Sequence, residues 1–400
     1  MTHRLLILTD GFVPPMQGTR MRNLAGNLMK MGWHCELVCE ATEKSVLPAD
    51  IPVHPFYYYK PQSGTLCRKA LLALDKLFAH KEKQYERFVE RNVDIGSFDA
   101  ILASAYLFPL RSVYRIALRH GKPLFMDLRD IAEQWDSTRF MQHSTGNPIL
   151  KCIARQYVSR TVKWRNKCLG MAKRVVSVSP WHVSQLKKYN PDTHLIFNGY
   201  DESLFTGKRV DTKHFVVSYT GSIYNFALRN PQILFQAVNN LIQKQEISAG
   251  EVQLHFYVED AVRESLLMLA RNTGVGNLLQ IHDFVMPEQI PEVLAQSSVS
   301  LILNSTATTE LHGILPTKLY EAIGSETPVL CIPVRDDDLQ RIVSEQQCGL
   351  ATDSVEETER FLLEQYRIWK QQGFTRMTAK DRQRFSRQSQ AIEYSHLLTH

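Results

Sequence analysis

The sequence predicts an α/β protein of two doubly wound, Rossmann-like domains, and three observations carry that prediction. Short apolar runs alternate with amphipathic stretches, the pattern of βαβ units around a parallel sheet. The alternation gives way to a turn-rich stretch at 190–212, where Asn, Pro, Gly and Asp cluster, and restarts after residue 210. The chain has 400 residues, and at about 100–200 residues per domain this length accommodates two large domains.

In the first half the strands read as RLLILT (4–9), CELVCE (35–40), HPFYYY (54–59), AILAS (100–104), PLFMDL (123–128) and RVVSVS (174–179). Helices are predicted near 19–31, where Leu24, Leu28 and Met31 recur at helical spacing, and near 66–91, 107–120, 150–171 and 180–189. Ser179-Pro180 starts the last of these with a serine cap and a proline at the first helical position. In the second half strands are expected at 214–221, 252–258, 278–285, 299–304 and 328–333. Helices near 230–245, 260–272, 287–296 and 316–324 separate them, and Pro316 again fits a first helical position.

Composition removes several classes. Aromatic residues make up 10% of the chain, which excludes disorder, and 19 Gly with 17 Pro exclude a collagen-like chain. No apolar run approaches the ~18 residues of a membrane span. The opening MTHRLLILTDGF reads as a buried strand rather than a signal peptide, so a cytoplasmic protein is expected. Cysteines at 35, 39, 67, 152, 168, 331 and 348 form no CxxC pair and are expected to be reduced, buried thiols. The 14 histidines show no HExxH or HxH spacing, and three consecutive carboxylates, Asp336 to Asp338, suit a helix start better than an ion. No metal and no cofactor are expected.

Charge is divided unevenly. Residues 1–190 carry 29 Lys and Arg against 15 Asp and Glu, whereas residues 191–400 carry 18 against 26. A basic first half points to an anionic partner on that side: membrane lipid, nucleic acid or a phosphorylated substrate.

In a doubly wound sheet, ligands sit outside the carboxyl ends of the strands, so the turns there are the candidates for function. The first, TDGFVPPMQGTR (9–20), places Gly18 before a helix start, where backbone N–H groups can approach an anion. Arg20 and Arg22 are either solvated or phosphate contacts, and a cation in a first helical turn favours a ligand. The second turn follows PLFMDLRD, with Asp127 and Arg129 on one face and Asp130 on the other or in the loop. These form a structural ion-pair network or place an acid/base group in a cleft. In the turn SYTGSIYNFALRNP (218–231), Gly221 and Arg229 can hold a diphosphate or mark an ordinary loop. Near the last strands, Lys318 and Glu321 lie three residues apart on one helical face, as a salt bridge or as phosphate and ribose contacts.

The order of these segments resembles the GT-B glycosyltransferases, specifically the family-four-like group that builds bacterial surface polysaccharides. The matching segments are PPMQG with a helix ending MGWHCELVC, VVSVSPWHVSQL, FNGYDESLF, YTGSIYNFALRNP, VMPEQIPEVLAQSSVSLILN, ILPTKLYEAIGSETPVL and a late CGL. The resemblance runs from residue 4 to about 395. It implies an acceptor-side domain at 1–195, joined by a C-terminal helix at about 380–400, and a nucleotide-sugar domain at 196–379 facing it across a cleft. It further implies a metal-independent, retaining transfer to a saccharide or lipid-linked acceptor.

By position, Glu321 matches the glutamate that holds the donor ribose, and Lys318 and Arg229 lie where the family places cations near the diphosphate. Gly18 matches the glycine loop facing the donor, and Asp130 falls near the family's histidine-bearing turn. Departures are equally specific. The first glutamate of the family's pair falls at Gly313, with Glu310 as a substitute, and the loop at Gly18 has one glycine instead of two. Three other readings remain at this level: a sugar-nucleotide epimerase of the same fold, a non-catalytic partner subunit, and a nucleic-acid-binding protein. The last lacks any recognised binding motif, so no nucleic acid is expected. Basic, apolar-striped segments at 66–91 and 151–174 lead instead to an anionic membrane surface, with a peripheral location at the inner membrane face.

Overall fold

A computed structural model describes residues 3–10, 19–59, 64–134, 148–226, 228–304, 312–334 and 338–399, with only the backbone of 149 and 150. The chain divides into two units, one of residues 1–197 with 387–400 and one of 198–386.

The first unit is built on seven parallel strands: β1 (Arg4–Thr9), β2 (His34–Glu40), β3 (Val53–Phe56), β4 (Ala100–Ser104), β5 (Leu124–Leu128), β6 (Arg174–Ser177) and β7 (Thr193–Leu195). Their order is β3-β2-β1-β4-β5-β6-β7. β4 and β5 are buried throughout and β1 in all but its first residue, as the mostly apolar central strands of a doubly wound sheet must be. Helices cover both faces. On one lie α3 (His80–Asn92), α4 (Leu110–His120) and α5 (Pro148–Met171), packed around Tyr85, Val113 and Ile116. On the other lie α1 (Thr19–Lys30) and the C-terminal α13 (Arg387–Thr399), packed through Leu24, Leu28, Ala391 and Tyr394.

Two expectations change here. The predicted helix 66–91 is two helices, α2 (Thr65–Phe78) and α3, parted at Ala79, whose φ of 51° lies in the left-handed region. Arg160 of α5 caps the freed end of α2, donating to the carbonyls of Leu77 at 3.0 Å, Asp75 at 3.1 Å and Lys76 at 3.0 Å. The Asp75 carboxylate accepts the Lys81 N–H at 3.1 Å in the first turn of α3. The turn-rich stretch 190–212 also contributes the edge strand β7, which the predicted strands leave out. Ser179 caps α6 (Pro180–Leu186) through the His182 N–H at 3.2 Å, as its sequence predicts.

The second unit has six parallel strands: β8 (Phe215–Thr220), β9 (Val252–Tyr257), β10 (Leu279–His282), β11 (Val299–Leu303), β12 (Val329–Ile332) and β13 (Gly349–Ala351). Their order is β10-β9-β8-β11-β12-β13. The helices are α7 (Gln232–Gln243), α8 (Asp260–Asn272), α9 (Ile290–Ala295), α10 (Thr317–Ser325), α11 (Asp338–Gln346) and α12 (Val355–Gln372). The reading of alternating runs passes over α12 altogether. Yet Ser354 caps it by accepting the Glu357 N–H at 3.2 Å, and Phe361, Leu362, Tyr366 and Trp369 join the core beside Phe215.

In each sheet the strand order reverses direction once, between β1 and β4 and between β8 and β11. These are the topological switch points at which open α/β sheets leave room for a ligand beyond the strand ends. All seven cysteines are free; Cys67 and Cys152 are exposed, against the expectation of burial, while the other five are buried. No helix among the described residues is long and apolar enough to cross a membrane.

Candidate functional site

At the switch point of the second unit, β8 ends at Thr220 and is followed by Gly221, whose φ of 139° side chains rarely adopt. A Cβ at Gly221 would lie 2.6 Å from the Lys318 ammonium nitrogen, so the glycine also makes room for that side chain. Lys318 stands in the first turn of α10, just after Pro316, and its nitrogen lies 4.2 Å from the centre of the Tyr219 ring. Arg229 reaches back along the same loop. One guanidinium nitrogen donates to the Ser222 carbonyl, which also accepts the Tyr219 hydroxyl at 2.7 Å. The guanidinium carbon lies 5.2 Å from the centre of the Tyr224 ring.

The electrostatics follow from this crowding. Burial and the charge of Arg229 push the Lys318 ammonium down to about 7, while Glu321, one turn further along α10, acts in the opposite sense. Two cations sharing a partly desolvated place repel unless an anion joins them. The sequence-predicted Gly221, Arg229, Lys318 and Glu321 are therefore brought together at one strand end. Sequence reasoning missed Tyr219 and Glu259, although both flank the strand ends that it named.

In the first unit, Asp10 follows β1 and Arg129 follows β5, with 3.9 Å between their charged atoms. Burial raises the Asp10 carboxyl above its ordinary range, against the pull of Arg129 and a hydrogen bond from the Tyr106 backbone. Asp130 is exposed and accepts a hydrogen bond from Gln134 at 3.3 Å. Asp10 was legible only as part of a turn.

Asp127 does not join this group. It is fully buried and accepts Arg20 Nε at 2.9 Å. Arg20 also donates to the carbonyls of Phe197 at 2.7 Å and Ile196 at 3.0 Å, and to the Tyr394 hydroxyl at 2.9 Å. The expectation that Arg20 contacts a ligand is thereby corrected: its donors tie α1, β5, the segment after β7 and α13 together. The ion-pair network of Asp127, Arg129 and Asp130 is likewise divided among three different partners.

Gly18, Glu310, Asp336 and Asp337 lie outside the described residues. Gly313 has a φ of 71°, a conformation that disfavours the glutamate expected there. Asp338 pairs with Arg341 at 2.6 Å, one turn apart on α11. Among the described residues no group of three or more His, Cys, Asp or Glu side chains is placed to hold a metal ion.

Residues 214–364, which hold this entire cation site, match the family model described as Glycosyl transferases group 1. Over these residues the chain is similar to a glycosyltransferase domain of that group. Its fold is GT-B, with two Rossmann-like domains. Sucrose-phosphate synthase from Thermosynechococcus elongatus is similar over 99% of this chain and 98% of its own, with a TM-score of 0.67 and 14% identity. HepE from Anabaena, solved in complex with UDP-glucose, is similar over 99% of both chains, with a TM-score of 0.63 and 15% identity. The lipopolysaccharide outer core galactosyltransferase WaaB is similar over 98% of this chain and 99% of its own, with a TM-score of 0.55 and 12% identity. At these identities the likeness is one of fold. No curated protein matches the chain in sequence. Within the matched residues, the switch-point cations are the feature most specific to chemistry.

Proposed function

We propose that this glycosyltransferase moves a sugar from a nucleotide-sugar donor held by the C-terminal unit to a saccharide or lipid-linked acceptor held by the N-terminal unit. The observation that carries the reading is the convergence of Lys318 and Arg229 beside Gly221 at the β8/β11 switch point. A departing nucleoside diphosphate gathers negative charge, and these two cations with the N-terminus of α10 supply its counter-charge without a divalent metal. Glu321, on the same helical face, accepts the ribose hydroxyls. The exposed Asp130 offers its carboxylate to the sugar at the reacting carbon, with configuration retained. HepE, a protein of this fold, binds UDP-glucose. WaaB, another, is a galactosyltransferase of the lipopolysaccharide outer core, which supports a role in cell-surface polysaccharide assembly.

The test is turnover of a panel of nucleotide sugars with and without lipid-linked saccharide. Acceptor-dependent release of nucleoside diphosphate is expected; interconversion of the sugar nucleotide without acceptor identifies an epimerase instead. Asp130→Asn should lower kcat about a hundredfold while leaving nucleotide affinity unchanged.

The Lys318 ammonium gives the binding step a pH dependence of known sign. A bound diphosphate favours the charged lysine, so the complex takes up a proton that the free protein has lost above about pH 7. Affinity should fall as pH rises from 7 to 9, by at most about tenfold per unit, and calorimetry in two buffers of different ionisation heat should register the proton uptake.

The working place that fits the N-terminal unit is the cytoplasmic face of an anionic membrane. The predicted stripe over 66–91 separates in the structure. Tyr85 of α3 is buried in the core and Phe88 packs against it, whereas α2 exposes Leu66, Leu72, Leu74, Leu77 and Phe78 beside Arg68 and Lys69. On α5, Arg160 and Arg165 are spent inside the unit, while Lys151, Arg155, Lys163 and Lys167 are exposed. Exposed apolar and basic side chains on one helix match a headgroup layer, and each basic residue near it adds about 1 kcal/mol of attraction. Cosedimentation with anionic vesicles is expected at low salt and its loss at high salt, with no binding to neutral vesicles.

A further inference from the structure

The loop that follows β8 is fastened at nearly every peptide, and its strongest fastening comes from outside it. Gly221 donates its N–H to the Tyr257 carbonyl at 3.1 Å, and the Ser222 carbonyl takes the Tyr219 hydroxyl and Arg229. The next two N–H groups, of Ile223 and Tyr224, both point to the carboxylate of Glu259, at 3.1 and 3.2 Å for Ile223 and 2.6 Å for Tyr224. Glu259 stands between β9 and α8 at the N-cap position of that helix, yet its side chain makes no cap bond there. It reaches across to β8 instead.

The residue held most tightly is also the least relaxed. Tyr224 has a φ of 59°, in the left-handed region that bulky side chains avoid, and the residue is 66% exposed, with the Arg229 guanidinium over its ring. Nothing in a tyrosine favours this conformation; the Glu259 carboxylate on its N–H does. A carboxylate beside an anion site would ordinarily weaken binding. Here its charge is met by two N–H groups and favours the ammonium form of Lys318, so the carboxylate holds the loop's shape and supports the cation that faces the ligand.

We propose that Glu259 is a positioning residue of the donor site, clamping the 221–225 loop so that Arg229 and Lys318 converge on one diphosphate. The proposal rests on the donor-site reading given above. Without the clamp, Tyr224 relaxes to a negative φ, and Arg229, which shares the loop's Ser222 carbonyl and the Tyr224 ring, swings away from Lys318.

Calorimetry of UDP, GDP and ADP on the wild type, Glu259→Ala, Glu259→Gln, Arg229→Gln and the double variant Glu259→Ala/Arg229→Gln tests this, with a melting curve for each. The diphosphate that binds the wild type should bind Glu259→Ala about tenfold more weakly, and Arg229→Gln should add little to Glu259→Ala because the clamp acts through that arginine. If Glu259→Ala does not fold, Glu259→Gln, which keeps one acceptor oxygen, carries the comparison through Glu259→Gln/Arg229→Gln. Unchanged affinity in the Glu259 variants, or losses that simply add, overturns the clamp and leaves the donor site standing. Absence of binding to the wild type overturns the donor site itself and the clamp with it.

Discussion

Arg20→Met is expected to cost the protein about 3–5 kcal/mol of stability, the effect of leaving a buried charge without its partner. Asp127 is fully buried on β5 and loses its arginine, and the carbonyls of Ile196 and Phe197 and the Tyr394 hydroxyl lose their donor. Tyr394 is on α13, so the loss should free the C-terminal helix from α1 first. Urea unfolding measures it directly, and hydrogen exchange should show α13 amides losing protection ahead of the β1 to β5 core. Replacing both partners, as in Arg20→Met/Asp127→Leu, should recover much of the stability lost by Arg20→Met alone. A single-variant loss below about 1 kcal/mol would place the pair among ordinary surface bridges.

Lys318→Met should have the largest effect on ligand binding. It keeps an unbranched apolar side chain while removing the charge that lies next to Gly221 and over the Tyr219 ring. A hydrogen bond to a charged partner is worth about 1.5–3 kcal/mol, so nucleoside-diphosphate affinity should fall about 10- to 100-fold. The melting temperature of the unliganded protein should hold or rise, because a partly desolvated cation beside Arg229 has been removed. The decline of affinity between pH 7 and 9 should vanish in the same variant. A variant that binds with unchanged affinity and an unchanged pH profile would show that the lysine faces no ligand.

Both effects trace to features that differ in how openly the sequence displays them. Strands such as β4 and β12 are legible because burial on both faces demands nearly continuous apolar runs, and that demand is local. Gly221, Lys318, Arg229 and Glu321 are legible as turn residues, since strand ends can be read from the same runs. Their convergence is not, because it depends on β8 and β11 being neighbours although about 80 residues separate them in the chain. Arg20 shows the limit most sharply. Its position in a first helical turn favours a ligand by electrostatics alone, but its partner Asp127 is 107 residues away and decides the matter. The break at Ala79 is hidden for the same reason, being stabilised by Arg160 from a distant helix. The helix α12 was open to reading: Ser354 and Glu357 have capping-box spacing, and Phe361, Leu362, Tyr366 and Trp369 recur on one face. Its many charges dilute the apolar signal that identifies strands.

The account turns on whether the β8/β11 switch point holds a nucleoside diphosphate. A thermal-shift panel of UDP, GDP, ADP and CDP against wild type and Lys318→Met measures this directly, since a ligand bound only by the native state raises stability as RT ln(1 + [L]/Kd). At least one diphosphate should raise the melting temperature of the wild type in a concentration-dependent manner, and the same concentration should do so far less for Lys318→Met. A flat response of the wild type to every diphosphate, or an equal response of both proteins, would contradict it.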